Sequence, residues 1–91
     1  SILRSFAEQT AGNCAELERA LGEGDAATVK TLAHKMLPIF TMLGAAGVAA
    51  TLRTAESWEG PLTDALRGEI GAAAENIRAI VAEAQKKVSL P

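Results

Sequence analysis

Residues 25–44 read DAATVKTLAHKMLPIFTMLG, and this stretch decides the fold. Val29, Leu32, Ala33, Met36, Phe40 and Leu43 recur at helical spacing. At about 100° per residue they line one side of a helix. Asp25 is a good N-cap in front of them, and Gly44 offers a left-handed stop behind. The spacing predicts a helix over Ala26–Leu43 with that stripe buried.

The same pattern extends outward in both directions. Upstream, Leu3, Phe6, Thr10, Cys14, Leu17 and Leu21 form a stripe, with Gly12 expected to bend the helix. The run Gly22, Glu23, Gly24 closes it. Downstream, Val48, Leu52 and Ala55 face inward on a shorter helix over Ala46–Glu56. Trp58, Gly60 and Pro61 mark a loop, and Thr63 is placed to cap a last helix. Leu66, Ile70, Ala73, Ile77, Ile80, Ala84 and Val88 carry that helix over about seven turns. Lys86 and Lys87 fall in its last turn, where they suit the helix dipole. Four amphipathic helices with short joins imply an all-α fold, an up-down antiparallel four-helix bundle spanning residues 1–91 as one domain.

Composition supports this and excludes several functions. Phe6, Phe40 and Trp58 are the only aromatic residues, too few for a typical β-sandwich. The net charge of −2 gives nucleic-acid binding no support. Cys14 is the single cysteine, so no intrachain disulfide forms, and a reducing cytosol fits. Its place on the first stripe predicts a core residue. One histidine and one distant cysteine make no metal-ligand set. Neither a glycine-rich phosphate loop nor a nucleophile–base pair is present, so the chain does not read as an enzyme. No apolar run approaches the roughly 20 residues of a membrane span, and no signal peptide is visible. The chain starts inside a helical pattern, which reads as a piece excised from a longer protein.

His34 is the only histidine. Measured from the centre of its helix's stripe, it lies about 140° away, on the solvent side. Thr41 lies within about 20° of it, with Lys30 and Pro38 about 40° to either side. Leu37 sits on the shoulder, and Met42 points outward. Leu37, Pro38 and Met42 thus predict an apolar docking patch around the histidine, unless they meet a neighbouring helix. From Thr28 to Ala55 the charged residues are Lys30, Lys35 and Arg53, a net +3 against −2 overall, leaving −5 elsewhere. That surface suits an acidic partner, although scattered surface cations are commonly inert.

The segment Ala33-His34-Lys35-Met36-Leu37-Pro38-Ile39-Phe40-Thr41-Met42-Leu43-Gly44-Ala45 resembles the signature of histidine-containing phosphotransfer (HPt) domains. Ala33, His34, Met36, Leu43, Gly44 and Ala45 match in place. Glu23, Gly24 and Asp25 look like part of the family's loop before this helix. The pattern departs from the family at two positions. Leu37 and Pro38 stand where Lys and Gly are usual, and Lys35 directly follows the histidine. Pro38 has no N–H for the carbonyl of His34, so a local kink is expected there.

The resemblance implies a phosphorelay intermediate of two-component signal transduction. His34 is the implied phosphoacceptor, through its Nε2 atom. Lys30, Lys35, Leu37, Pro38, Thr41 and Met42 are the implied receiver-docking or phosphate-supporting residues. The implied partners are response-regulator receiver domains, with no nucleic acid and no direct membrane contact. The domain itself needs no cofactor, and Mg²⁺ is expected on the receiver. The resemblance implies a cytoplasmic domain within a hybrid sensor histidine kinase, a parent that can itself be membrane-anchored. Two other readings stay open. One is a helical interaction module in which His34 is incidental. The other is a degenerate HPt domain that docks receivers without accepting phosphate.

Overall fold

Two glycine-closed corners set the course of the chain. The computed structural model describes residues 1–89. Helix α1 covers Ile2–Glu23, and the Ser1 hydroxyl caps it by accepting from the Arg4 N–H. Gly24 follows at φ 69°, a left-handed conformation that costs glycine little. The Asp25 N–H reaches back to the Ala20 carbonyl at 2.9 Å and the Gly24 N–H to that of Leu21 at 3.2 Å. These bonds satisfy carbonyls that the helix end leaves open.

Asp25 then caps α2, Ala26–Met42. Its carboxylate accepts from the Thr28 N–H at 3.1 Å and the Thr28 hydroxyl at 2.6 Å. The second corner repeats the device, with Gly44 at φ 73° and the Ala45 N–H donating to the Phe40 carbonyl at 3.1 Å. Helix α3, Ala46–Glu56, starts directly after it. A loop leads to α4, Asp64–Ser89, which Thr63 caps by accepting from the Leu66 N–H at 3.1 Å. Among the described residues there is no strand. Neither Gly12 nor Pro38 breaks its helix.

Each helix packs on its two chain neighbours, and α1 closes the ring with α4. The core is led by Leu17, Val29, Met36, Phe40, Leu52, Ile70 and Ile77, all almost fully buried. Phe6 meets Phe40 edge to face, with centroids 6.4 Å apart, a favoured aromatic geometry. Arg67, at the start of α4, donates to the Leu21 carbonyl at 2.7 Å and so ties α4 to the end of α1. Cys14 is buried as expected, its thiol donating to the Ala74 carbonyl at 3.4 Å. Burial pushes that thiol up, and Arg78 partly opposes the shift.

Five stripe positions depart from expectation. Leu43 is 55% exposed, because α2 ends at Met42 and Leu43 forms its C-cap at the open end of the helices. Leu3, the second residue of α1, is also exposed at the same end. Phe6, Ile80 and Val88 are only half-buried. Val81, one residue after Ile80, supplies the core contact instead. The sequence period predicts which side of a helix is apolar, but not where the neighbouring helices stop covering it.

Phe40→Ala should therefore lower the unfolding free energy by about 3–5 kcal/mol. Leu43→Ala should change it by less than about 0.5 kcal/mol. Urea titration checks both. Asp25 gives a pH prediction. The two hydrogen bonds from Thr28 hold its carboxyl below the usual carboxylate range. Its contribution is therefore present above the unfolded-chain pKa of about 3.9 and lost as pH falls through the lower folded value. Asp25→Asn should flatten that part of the stability–pH curve.

Candidate functional site

The buried stripe turns α2 so that His34 faces out. Ala33 and Met36 flank it in sequence and are buried, whereas the His34 side chain is 78% exposed. Glu56, the last residue of α3, reaches across from the neighbouring helix. Its Oε1 is hydrogen-bonded to His34 Nδ1. A carboxylate can only accept, so Nδ1 carries the proton in this pair. In the neutral ring Nε2 is then the atom with a free lone pair. The same contact restrains the ring's orientation, as a carboxylate does for many functional histidines.

Lys30 lies one helical turn before His34. Its ammonium sits 3.4 Å from Glu59 Oε1 and 3.4 Å from the Trp58 carbonyl. Two parallel links thus join the outer side of α2 to the end of α3 and the start of the loop after it. Trp58 is half-buried, and its indole N–H closes the loop by donating to the Pro61 carbonyl at 3.1 Å.

The remaining candidate residues divide into groups. Lys35 and Pro38 are exposed on α2, and Lys35 makes no ion pair among the described residues. Leu37 is half-buried and packs against the core. Thr41 is exposed, but its hydroxyl donates to the Leu37 carbonyl at 2.9 Å. Met42 is 88% exposed and belongs elsewhere. Eight residues along a helix is about 12 Å from His34. With Ile2, Leu3, Phe6, Ile39 and Leu43, Met42 lines an apolar groove at the end of the helices. The expected ring around His34 therefore reduces to Lys30, Lys35 and Pro38 from α2, with Leu37 on the inner shoulder.

The local positive surface is also smaller than the Thr28–Ala55 stretch implied. Glu56 begins where that stretch stops and sits on His34, and Glu59 sits on Lys30. Lys35 and Arg53 keep their charges uncompensated among the described ion pairs. Glu56 is the site residue that the sequence reading missed. A signal was present, since His34 and Glu56 each lie eleven residues from Ala45, the corner between their helices. In a tight hairpin such positions face each other. Among the described residues no three His, Cys, Asp or Glu side chains cluster to hold a metal. No described helix is long and apolar enough to cross a membrane. Set against family models, curated proteins and solved structures, the chain finds no match.

The arrangement makes a spectroscopic prediction. Long-range ¹H–¹⁵N NMR with the ring neutral should show His34 in the Nδ1–H form. Glu56→Ala should restore the Nε2–H form that free histidine favours. A wild-type ring already in the Nε2–H form would contradict the pairing.

Proposed function

We propose that this chain is a phosphorelay intermediate of the HPt kind, folded as an up-down antiparallel four-helix bundle, with His34 as its phosphoacceptor. The observation that carries the reading is the exposed imidazole on the outer side of α2, with Nδ1 bonded to Glu56 and Nε2 left free. The facing pairs support the antiparallel course. Phe6 meets Phe40, His34 meets Glu56, and Arg67 meets Leu21.

In the proposed reaction, the Nε2 lone pair attacks the phosphorus of an aspartyl phosphate on a receiver domain. The N–P bond forms as the P–O bond breaks, and the aspartate carboxylate leaves. The Nδ1 proton stays on the ring. The ring then carries a positive charge, which the Glu56 carboxylate stabilises at close range. Transfer to a second receiver runs the same step in reverse. Mg²⁺ belongs to the receiver, where it neutralises charge on the moving phosphoryl group. The chain itself contributes a positioned nucleophile and a docking surface, and no hydrolysis of its own. Lys35 and Arg53 suit an acidic receiver site. Pro38 replaces the glycine usual in this family beside the acceptor. It frees the His34 carbonyl from its helical partner without breaking α2. On this reading the cytoplasmic receivers of a hybrid sensor histidine kinase are the natural partners.

The apolar groove favours a second reading, an interaction module that docks partners without taking phosphate. Ile2, Met42 and Leu43 are large apolar groups left in solvent, and such patches commonly mark interfaces.

Incubation with a phosphorylated receiver and Mg²⁺ separates the two. Label should move to the wild-type chain and be absent from His34→Gln. Transfer to His34→Gln, or none to the wild type from any of a panel of receivers, would sink the relay reading.

A further inference from the structure

Lys30 is held weakly where it is. Both of its contacts are 3.4 Å long, at the outer edge of hydrogen bonding. Its carboxylate partner Glu59 is 90% exposed. An exposed pair of this kind is worth roughly 0–1 kcal/mol, so it exchanges readily for a better anion. Lys30 is also one turn from His34 on the same helix, and residues four apart are surface neighbours.

A phosphoryl group on His34 Nε2 would bring about two negative charges to this surface. The charged groups nearest in sequence and fold are Glu56, Glu59, Lys35 and Arg53 besides Lys30 itself. Glu56 is already committed to Nδ1, and both glutamates repel the new anion. Lys35 points about 100° around the helix from His34. Arg53 is on α3, one turn before Glu56. Lys30 is the cation one turn from His34 on the same helix, and its two long contacts compete only weakly for it.

We infer that Lys30 is the phosphoryl-binding residue of the site, and that it is drawn to the phosphoryl group from Glu59 and the Trp58 carbonyl. This rests on His34 being the acceptor. Its consequence is a change at a distance from the reacting atom. The segment Ser57–Thr63 loses its polar contacts to α2 when Lys30 leaves, while Trp58 and Leu62 stay packed on the core and the indole bond to Pro61 keeps Trp58 within the loop. The phosphorylated and free chains then differ in the α3–α4 loop, and a partner touching that loop can tell them apart.

Phosphoramidate tests this without a receiver. Nε2 forms the N–P bond, the P–N bond of the reagent breaks, and ammonia leaves. The Nδ1 proton remains on the ring beside Glu56. Trp58 is the only tryptophan, so its emission reports the loop directly. On phosphorylation the wild-type emission should shift, and amide exchange over residues 57–63 should rise by up to about fivefold, the equivalent of one exposed ion pair. Lys30→Ala should show the loosened loop before phosphorylation and no further change after it. It should also lose the phosphoryl group several-fold faster, and Lys30→Arg should restore the wild-type behaviour. A wild-type loop that ignores phosphorylation, or a Lys30→Ala chain that responds as the wild type does, would overturn the inference. So would failure of His34 to take up the group at all. A chain that responds to phosphoramidate but accepts nothing from receivers keeps the Lys30 role and loses the relay.

Discussion

Burial of Val29, Ala33, Met36 and Phe40 in the core, where α2 packs on α1 and α3, fixes the rotation of α2 about its own axis. Nearly every other feature follows from that constraint. Phe40 and Met36 are among the largest fully buried side chains, so turning α2 to bury His34 would expose them. Fully burying a side chain of that size contributes about 1.5–3 kcal/mol. Two such terms exceed what an exposed imidazole pair with Glu56 contributes. The core decides where the histidine points, and the pair with Glu56 then decides how its ring is held.

The glycine corner is the second constraint. Gly44 at φ 73° reverses the chain within a few residues, so α2 and α3 lie side by side. Without a left-handed residue there, the Ala45 N–H could not return to the Phe40 carbonyl. The short turn sets the register, and register places Glu56 opposite His34 and Glu59 opposite Lys30. A backbone conformation at one residue thus determines which carboxylate meets the imidazole, two to three turns away on each helix.

The proposed chemistry asks little of the chain beyond this placement. A nucleophile must be accessible, in one tautomer, and next to a charge that tolerates a cationic ring. Exposure comes from the helix face, and tautomer and charge come from a single carboxylate. On the proposed reading a small helical domain with one histidine meets those demands, since a receiver would bring the metal and the activated phosphoryl group. The apolar groove around Met42 and Leu43 lies toward the other end of α2 from Lys30. A partner that covered it would be oriented along α2 without obstructing the imidazole.

Taken alone, the sequence determined the four helices, their caps at Asp25 and Thr63, the corners at Gly24 and Gly44, and the outward direction of His34. These are local properties, carried by a 3.6-residue period and by residues with special backbone or capping chemistry. Only the tertiary structure decided three others. It exposed Leu43 and Leu3, because the extent of a neighbour's cover depends on where all four helices end. It moved Met42 from the histidine's surroundings into the groove, because rise along the axis separates residues that angle alone leaves close. It supplied Glu56 and engaged Lys30, because contacts between helices depend on register across a corner, and a period read along one helix carries no information about its neighbour.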